Sequence, residues 1–306
     1  MEKDLTLVIL AAGMGSRFGG LKQIEPIDEF GNFIIDYSIY DAKKAGFDKV
    51  IFIIKEENLE IFKETVGKRV EKYIKVEYAF QKLENIPAGV VLPADRVKPL
   101  GTAQAILSCK DLVSDKFIII NSDDYYGSDA FKVAADYLKS LKSGSKNVYG
   151  NIGYMAKNTI TENGSVKRGV LFFDKNNKLE KLVESKIEKV DGKLVASPLD
   201  DETNKNVIAD DTLVSMNMFA FTSDIMEYLD ANYKKFFDDN KDNLKSCEYL
   251  IPTVVSDLIA EGKVTCDILS TTSVWYGVTY KEDKEFVVSS LKALVDKGEY
   301  PKGIWK

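Results

Sequence analysis

The chain has 306 residues, 45% of them apolar, and contains no histidine at all. That absence excludes imidazole acid–base catalysis, Ser/His/Asp and Cys/His nucleophilic sites, and His-ligated zinc or haem. Any chemistry must run on carboxylates, Lys, Arg, Tyr, hydroxyls and backbone amides, helped by a hard metal ion. The 42 basic against 48 acidic residues give a net charge of −6, which argues against nucleic acid or an anionic membrane as partner.

Leu5 to Ala12 (LTLVILAA) is a short apolar run of the kind that forms a parallel strand buried on both faces. A glycine-rich loop follows at 13–20, then a helix predicted over 34–45 and ended by Gly46 as C-cap. Residues 49–54 (KVIFII) read as a second buried strand, 56–66 as a helix and 75–80 (KVEYAF) as a third strand, an alternation that signals βαβ units. Residues 84–98 read as a loop, and a helix starting near Gly101 leads to the strand 117–120 (FIII), which runs into Asn121-Ser122-Asp123-Asp124. A helix is predicted at 128–142, then strands at 148–155, 170–174 and 179–185, the last two joined as a hairpin across 175–178. The polar stretch 190–211 reads as an elaborated surface loop and 212–221 as a strand. Helices are predicted at 223–237, 247–261 and 282–297, and strands at 264–270 and 273–278.

Cys109, Cys247 and Cys266 are too far apart for a CxxC pattern and leave one thiol over in any disulfide scheme, which reads as reduced thiols of a cytoplasmic protein. Met1-Glu2-Lys3-Asp4 begins no signal sequence, and no run approaches the ~20 apolar residues that span a bilayer. The sequence therefore predicts a soluble chain.

The segment 10–26 (LAAGMGSRFGGLKQIEP) carries most of the functional information, because glycines let backbone N–H groups approach and line a phosphate. A dinucleotide fingerprint counted from Gly13 would need glycine where Phe18 stands, and a P-loop would need Gly-Lys-Ser/Thr where Leu21-Lys22-Gln23 stands, so both fail. What the segment resembles, with L-A-A-G-x-G-S-R followed by Lys22 four residues before Pro26, is the signature of the NTP-transferase family of sugar-1-phosphate nucleotidylyltransferases.

The resemblance implies an α/β fold that is Rossmann-like (GT-A-like), a three-layer α/β/α arrangement whose central sheet is mixed but mostly parallel, with an added antiparallel hairpin region for the sugar. It implies one domain over 1–306: a nucleotide half at 1–147, a sugar-phosphate half at 148–281, and a closing helix and tail at 282–306. By the same resemblance, Leu10, Ala12, Gly13 and Gly15 would wrap the triphosphate, and Arg17 and Lys22 would neutralise phosphate charge. Gln81 matches a family glutamine whose amide contacts the base edge, and Pro99-Leu100-Gly101-Thr102-Ala103 matches the P-L-G-T-A/G element that holds the base. Asp123 occupies the metal-ligand position of the family's G-D element and would hold Mg2+, with Ser122 where glycine is usual; Asp124 reads as a helix cap or a supporting residue. Gly169 of Arg168-Gly169-Val170, Glu184 and Lys186 of Val183-Glu184-Ser185-Lys186, and Asn217 would face the sugar phosphate. One departure stands out: Gly277 of Trp275-Tyr276-Gly277 lies where the family commonly places a second metal-ligating carboxylate, a role that a neighbour such as Asp283 would have to take.

The reaction so implied is attack by a sugar 1-phosphate on the α-phosphorus of a nucleoside triphosphate. Its nucleophile, with a second pKa near ~6, arrives already ionised and needs no general base. Arg17 would act on the departing pyrophosphate, and its loss would cost on the order of 10³-fold in rate. UTP or dTTP with a sugar 1-phosphate is the leading pair. A cytidylyltransferase acting on phosphocholine or a phosphonate, and a glycosyltransferase or nucleotide sensor, stay open beside it. The acceptor and the oligomeric state, a homo-oligomer included, are not fixed by the sequence.

Overall fold

In a computed structural model the protein is described over residues 5–13, 26–277 and 282–306. The N-terminal apolar run is β1 (Leu5–Leu10), paired in parallel with β2 (Lys49–Ile54) on one side and β4 (Lys116–Asn121) on the other. β2 pairs in parallel with β3 (Lys75–Phe80). Central strands are covered on both faces, which is why β1, β2 and β4 are almost wholly apolar, whereas β3, at the sheet edge, mixes charge with apolar residues.

The crossovers are α1 (Ile34–Ala45), an irregular segment containing α2 (Leu59–Phe62) and α3 (Lys68–Val70), and α4 (Thr102–Leu107). Gly46 ends α1 as predicted, at φ +103°, a left-handed conformation that glycine adopts without steric cost. The helix predicted at 56–66 starts as a 3-10 turn and loosens into a π turn at Lys63–Gly67.

The chain continues through β5 (Asp124–Tyr125), α5 (Ser128–Ser140), β6 (Val148–Met155), β7 (Val166–Phe173), β8 (Leu179–Val190), β9 (Lys193–Pro198), β10 (Asn206–Ile208) and β11 (Leu213–Thr222). It closes with α6 (Ile225–Asp239), α7 (Ile251–Ala260), β12 (Thr265–Thr271), β13 (Tyr276–Gly277) and α8 (Asp283–Asp296). β11 runs antiparallel to β4, β6 antiparallel to β11, and β12 parallel to β6. The antiparallel meander β7-β8-β9-β10 joins the other end of β11. The expected mixed sheet, with mostly parallel central strands and an antiparallel addition, is therefore present. Alternate residues of β1 and β4 feed two cores on opposite faces: Leu5, Leu7, Ile9, Ile118 and Ile120 pack with α1 and α5, while Val8, Phe117 and Ile119 pack with α4, α6 and α7.

The stretch 190–211 is not a surface loop, as its polarity had suggested. Asp191 and Gly192 both adopt positive φ, 49° and 77°, the turn that an Asp-Gly pair makes between antiparallel strands, and Val190 pairs with Lys193 across it. β9 then sends Leu194 and Ala196 into the core. Among the described residues, the strand predicted at 273–278 is limited to the two residues of β13. Among the described residues no helix is long and apolar enough to cross a membrane, and the three cysteines are buried free thiols.

The C-terminal segment straps α1. Trp305 Nε1 donates to Asp36 Oδ1 at 2.7 Å, and Tyr300 donates to Asp41 Oδ2 at 2.6 Å while its hydroxyl lies 2.8 Å from that of Tyr125. Burial raises the Asp41 carboxyl to about 7, against about 4 in an unfolded chain. The folded state thus holds this proton more tightly, so its stabilising effect is present at low pH and is lost as pH rises from about 4 to about 7. Asp124, raised to about 7 chiefly by burial, acts in the same direction. Asp41→Asn keeps an acceptor for Tyr300 without the charge and is expected to flatten the decline in Tm between pH 5 and pH 8. An unchanged slope in thermal unfolding would show that Asp41 does not supply that dependence.

Candidate active site

The carboxyl ends of the parallel strands, where open α/β sheets hold ligands, are tied together by main-chain bonds. Ser122 N donates to Leu10 O at 3.1 Å and Ala11 N to Ile53 O at 2.8 Å, and Leu10 lies beside Asn121. Asp123 leaves this floor as an exposed residue whose carboxylate has no hydrogen bond or ion pair among the described residues. Gly13 is also exposed, and a Cβ added there would meet nothing within 4 Å, so the described fold itself does not require glycine at that position.

Asp124 differs from its neighbour and corrects the helix-cap expectation, because Gly127 is the N-cap of α5. Its carboxylate is buried, accepting from Asn121 Nδ2 at 2.9 Å and from the Tyr126 hydroxyl at 3.4 Å. Burial and the neighbouring Asp123 charge raise it to about 7. Across the β5–β13 pair it faces Gly277, where an added Cβ would stand 2.9 Å from Asp124 Oδ1 and inside the Trp275 ring. The space a carboxylate at 277 would use is therefore already taken by Asp124 and Trp275. Asp283, the other candidate for that role, is buried and accepts at Oδ1 from Thr161 at 2.5 Å and Asn163 Nδ2 at 2.8 Å, fastening the 161–163 turn to the start of α8. Among the described residues no group of three or more His, Cys, Asp or Glu could hold a metal ion. Asp123 offers a carboxylate without a partner among the described residues, a donor that fits a hard cation completed by substrate phosphates and water.

The second wall follows β3. Gln81, Ala12, Pro99 and Leu100 line a small cleft of about 60 Å³. Gly101 and Thr102 of the same sequence element do not border it; they dock α4 onto the segment before α7. Gly101 sits at φ +100° against the Tyr249 backbone, Ala103 N donates to Tyr249 O at 2.9 Å, and Thr102 Oγ1 accepts from Ile251 N at 3.1 Å. Sequence reasoning missed Arg96. Its buried guanidinium donates to four main-chain carbonyls, those of Lys98 (2.9 Å), Pro99 (3.0 Å), Leu244 (2.6 Å) and Cys247 (2.8 Å), latching the 84–98 loop beside the cleft. No local pattern marks a lone Arg in a polar loop for that use.

The third wall comes from the meander. β11 changes partners midway: Val214 and Ser215 pair with β7, Phe219 to Thr222 pair with β4, and the register shifts between Ser215 and Phe219. Asn217 sits in that irregularity at φ +59°, a conformation that Asn tolerates better than most residues. Its Nδ2 donates to Asn121 Oδ1 at 2.9 Å, and its own Oδ1 is buried without a partner among the described residues.

Ser215 pairs with Gly169, and Gly169 in turn with Glu184. One row thus runs from Asp124 through Asn121, Asn217 and Gly169 to Glu184. The protein around the Glu184 carboxyl raises its pKa, with Arg168 and Lys167 opposing. Arg168 is buried, stacked 4.5 Å over the Trp275 ring, and donates through Nε to Thr159 O at 3.1 Å; burial lowers it to about 10, and Asp124 and Glu184 oppose the shift. Lys186, two residues along the same strand face, is half-exposed and only 3.6 Å from Glu188, a loose pair of the kind worth little.

The row and the cleft bring Leu10, Ala12, Gln81, Asp123, Gly169, Glu184, Lys186 and Asn217 around the strand ends. Gly15, Arg17 and Lys22 lie outside the described residues. A cavity of about 570 Å³ lies between the 157–163 turn and α8 and is lined by none of those eight.

A family model of nucleotidyl transferases matches residues 6–279. The chain belongs to the nucleotidyl transferase family. No curated protein sequence matches it, yet solved structures share its fold over nearly the whole length. An inositol-1-phosphate CTP transferase from T. maritima is 13% identical with a TM-score of 0.57, covering 93% of this chain and 94% of the other. A protein described as a glucose-1-phosphate thymidylyltransferase from Bacillus anthracis, solved with sucrose, is 14% identical with a TM-score of 0.59, covering 94% of each chain. A UDP-glucose pyrophosphorylase complexed with UDP-glucose is 15% identical with a TM-score of 0.55, covering 95% of this chain and 99% of the other. In this nucleotidyl transferase a Cβ at position 277 would meet Asp124 and Trp275, and the candidate residues Asn217, Gly169 and Glu184 join the end of β4 along one row.

Proposed function

We propose that the chain couples UTP or dTTP to a sugar 1-phosphate, releasing pyrophosphate and leaving a nucleotide-linked sugar. The observation that carries this reading is the hydrogen-bonded chain Asn217–Asn121–Asp124, which joins the strand end bearing Asp123 to the row bearing Gly169 and Glu184. Two phosphorylated substrates bound on either side of that chain meet beside a free carboxylate. The acceptor phosphate attacks as an anion, so the chain needs no proton-abstracting side chain, in keeping with a sequence without histidine.

What remains is positioning and charge. Arg17 acts on the departing pyrophosphate, and Lys22 and Lys186 on the approaching phosphates. Asp123 is the residue that would hold Mg2+, which when bound offsets the negative charge of the phosphates. The Glu184 carboxylate, with no hydrogen bond from any described residue, accepts from acceptor hydroxyls, and the Asn217 Oδ1 orphan finds its donor there. Partners are thus small molecules, an NTP and a phosphorylated acceptor.

Lys186→Ala is expected to raise the KM for the acceptor by about tenfold or more and to leave the KM for the NTP unchanged. Steady-state kinetics varying each substrate decide it, and unchanged acceptor kinetics would return Lys186 to an ordinary solvated strand face. The reading as a whole is tested by pyrophosphate release from each of the four NTPs with a panel of sugar 1-phosphates and phosphocholine. Release only with CTP and phosphocholine would replace the sugar reading by the cytidylyl one.

A further inference from the structure

We infer that Gln104 is a positioning residue that turns the Gln81 amide into a pure acceptor, so that the cleft selects a nucleotide whose base presents an N–H donor on its pairing edge. The inference rests on the nucleotidyl-transfer reading above. Gln81 Nε2 donates to Gly101 O at 3.1 Å and to Gln104 Oε1 at 2.8 Å, which uses both of its hydrogens. Gln104, only 2% exposed, donates through Nε2 to Lys82 O at 3.0 Å.

Both amides are oriented by chemistry. Gly101 O and Lys82 O are main-chain carbonyls that can only accept, so the atom of each glutamine beside them must be nitrogen. A turned Gln104 would set its oxygen against Lys82 O and its nitrogen against Gln81 Nε2, losing both bonds. Gly101 O is itself held, because Gly101 packs against the Tyr249 backbone. The one polar atom Gln81 has left is Oε1, which has no donor among the described residues, and Gln81 borders the cleft lined by Ala12, Pro99 and Leu100. An amide free to turn would read donor and acceptor alike; a locked one reads a donor only. Uracil and thymine offer a ring N3–H and cytosine an exocyclic N4–H, while a base methylated at that nitrogen leaves Oε1 facing a methyl group with its hydrogen bond unmade.

The test is equilibrium binding by calorimetry, in the presence of Mg2+, of UTP against N3-methyl-UTP and of CTP against N4,N4-dimethyl-CTP. The wild-type chain is expected to bind at least one parent nucleotide about tenfold or more tighter than its methylated form, and the pair that discriminates names the donor. In Gln104→Met the Gln81 nitrogen loses one of its two acceptors and is held by Gly101 O alone, and that ratio is expected to fall below about threefold. Gln104→Glu, with a protonated carboxyl that accepts from Gln81 Nε2 and donates to Lys82 O, is expected to keep the ratio, which separates this role from packing alone. A merely structural Gln104 would weaken parent and methylated nucleotides equally and leave the ratio untouched. Binding of both methylated nucleotides within about twofold of their parents would overturn the inference while leaving nucleotidyl transfer standing. Failure of every nucleotide to bind would overturn the reading beneath it as well.

Discussion

Asp123→Asn is expected to reduce pyrophosphate release on the order of 10³-fold while leaving the fold intact. The size follows from the chemistry: in transfer between two polyanions, catalysis rests on fixed charge and position, and losing the carboxylate that would hold the charge-offsetting cation costs that much. The selectivity for activity over stability follows from the environment. Asp123 is exposed and bonds to no described residue, so an isosteric amide breaks nothing in the folded chain. It also removes a negative charge that raises the pKa of buried Asp124, so any change in stability should be small or favourable. Asp124→Asn provides the contrast. Its carboxylate accepts from Asn121 and Tyr126, and altering it disturbs the Asn217–Asn121 link as well. Kinetics alongside thermal unfolding for both variants check the distinction; wild-type turnover in Asp123→Asn would remove that residue from the site.

Gly101→Ala is expected to carry the largest stability penalty of any single methyl added at the site, roughly 3 kcal/mol or more. The backbone there adopts φ +100° and ψ 177°, a region open essentially to glycine alone. The new Cβ would stand 2.8 Å from Tyr249 N and inside contact distance of its carbonyl oxygen. Neither neighbour is a flexible tip. Tyr249 N donates to Leu100 O at 2.7 Å and Ala103 N to Tyr249 O at 2.9 Å, so relief requires moving the junction between α4 and α7. Because Gly101 O also accepts from Gln81, the same change should disturb the cleft. Thermal unfolding is expected to show Tm lower by roughly 5–10 °C, and a shift below about 1 °C would mean the junction yields freely.

The sequence made the parallel half legible because its strands are buried on both faces and leave unbroken apolar runs, as in Lys49–Ile54 and Lys116–Asn121. β9 and β10 were hidden because a meander with one solvated face carries many polar residues, although the Asp191-Gly192 pair marked its turn. Among site residues, Asp123 was readable from its place after an apolar strand. The uses of Asp124, Arg96 and Gln104 were not, since each depends on partners far along the chain: Gly277 for Asp124, Leu244 and Cys247 for Arg96, Gln81 for Gln104. Gly277 itself looked like a missing ligand and is better understood as a position whose space Asp124 and Trp275 fill. Gly101 and Thr102, expected to hold a base, dock α4 against the segment at 249–251, a use that depends on partners far along the chain.

On the proposed reading, this cleft joins a nucleotide to a phosphorylated acceptor. The most direct measurement mixes the purified chain with Mg2+, one NTP and one phosphorylated acceptor at a time and quantifies pyrophosphate together with the nucleotide-linked product. Pyrophosphate appearing in equal amount to that product, dependent on both substrates and lost in Asp123→Asn, is the expected result. No pyrophosphate from any of the four NTPs with any acceptor of the panel would contradict it.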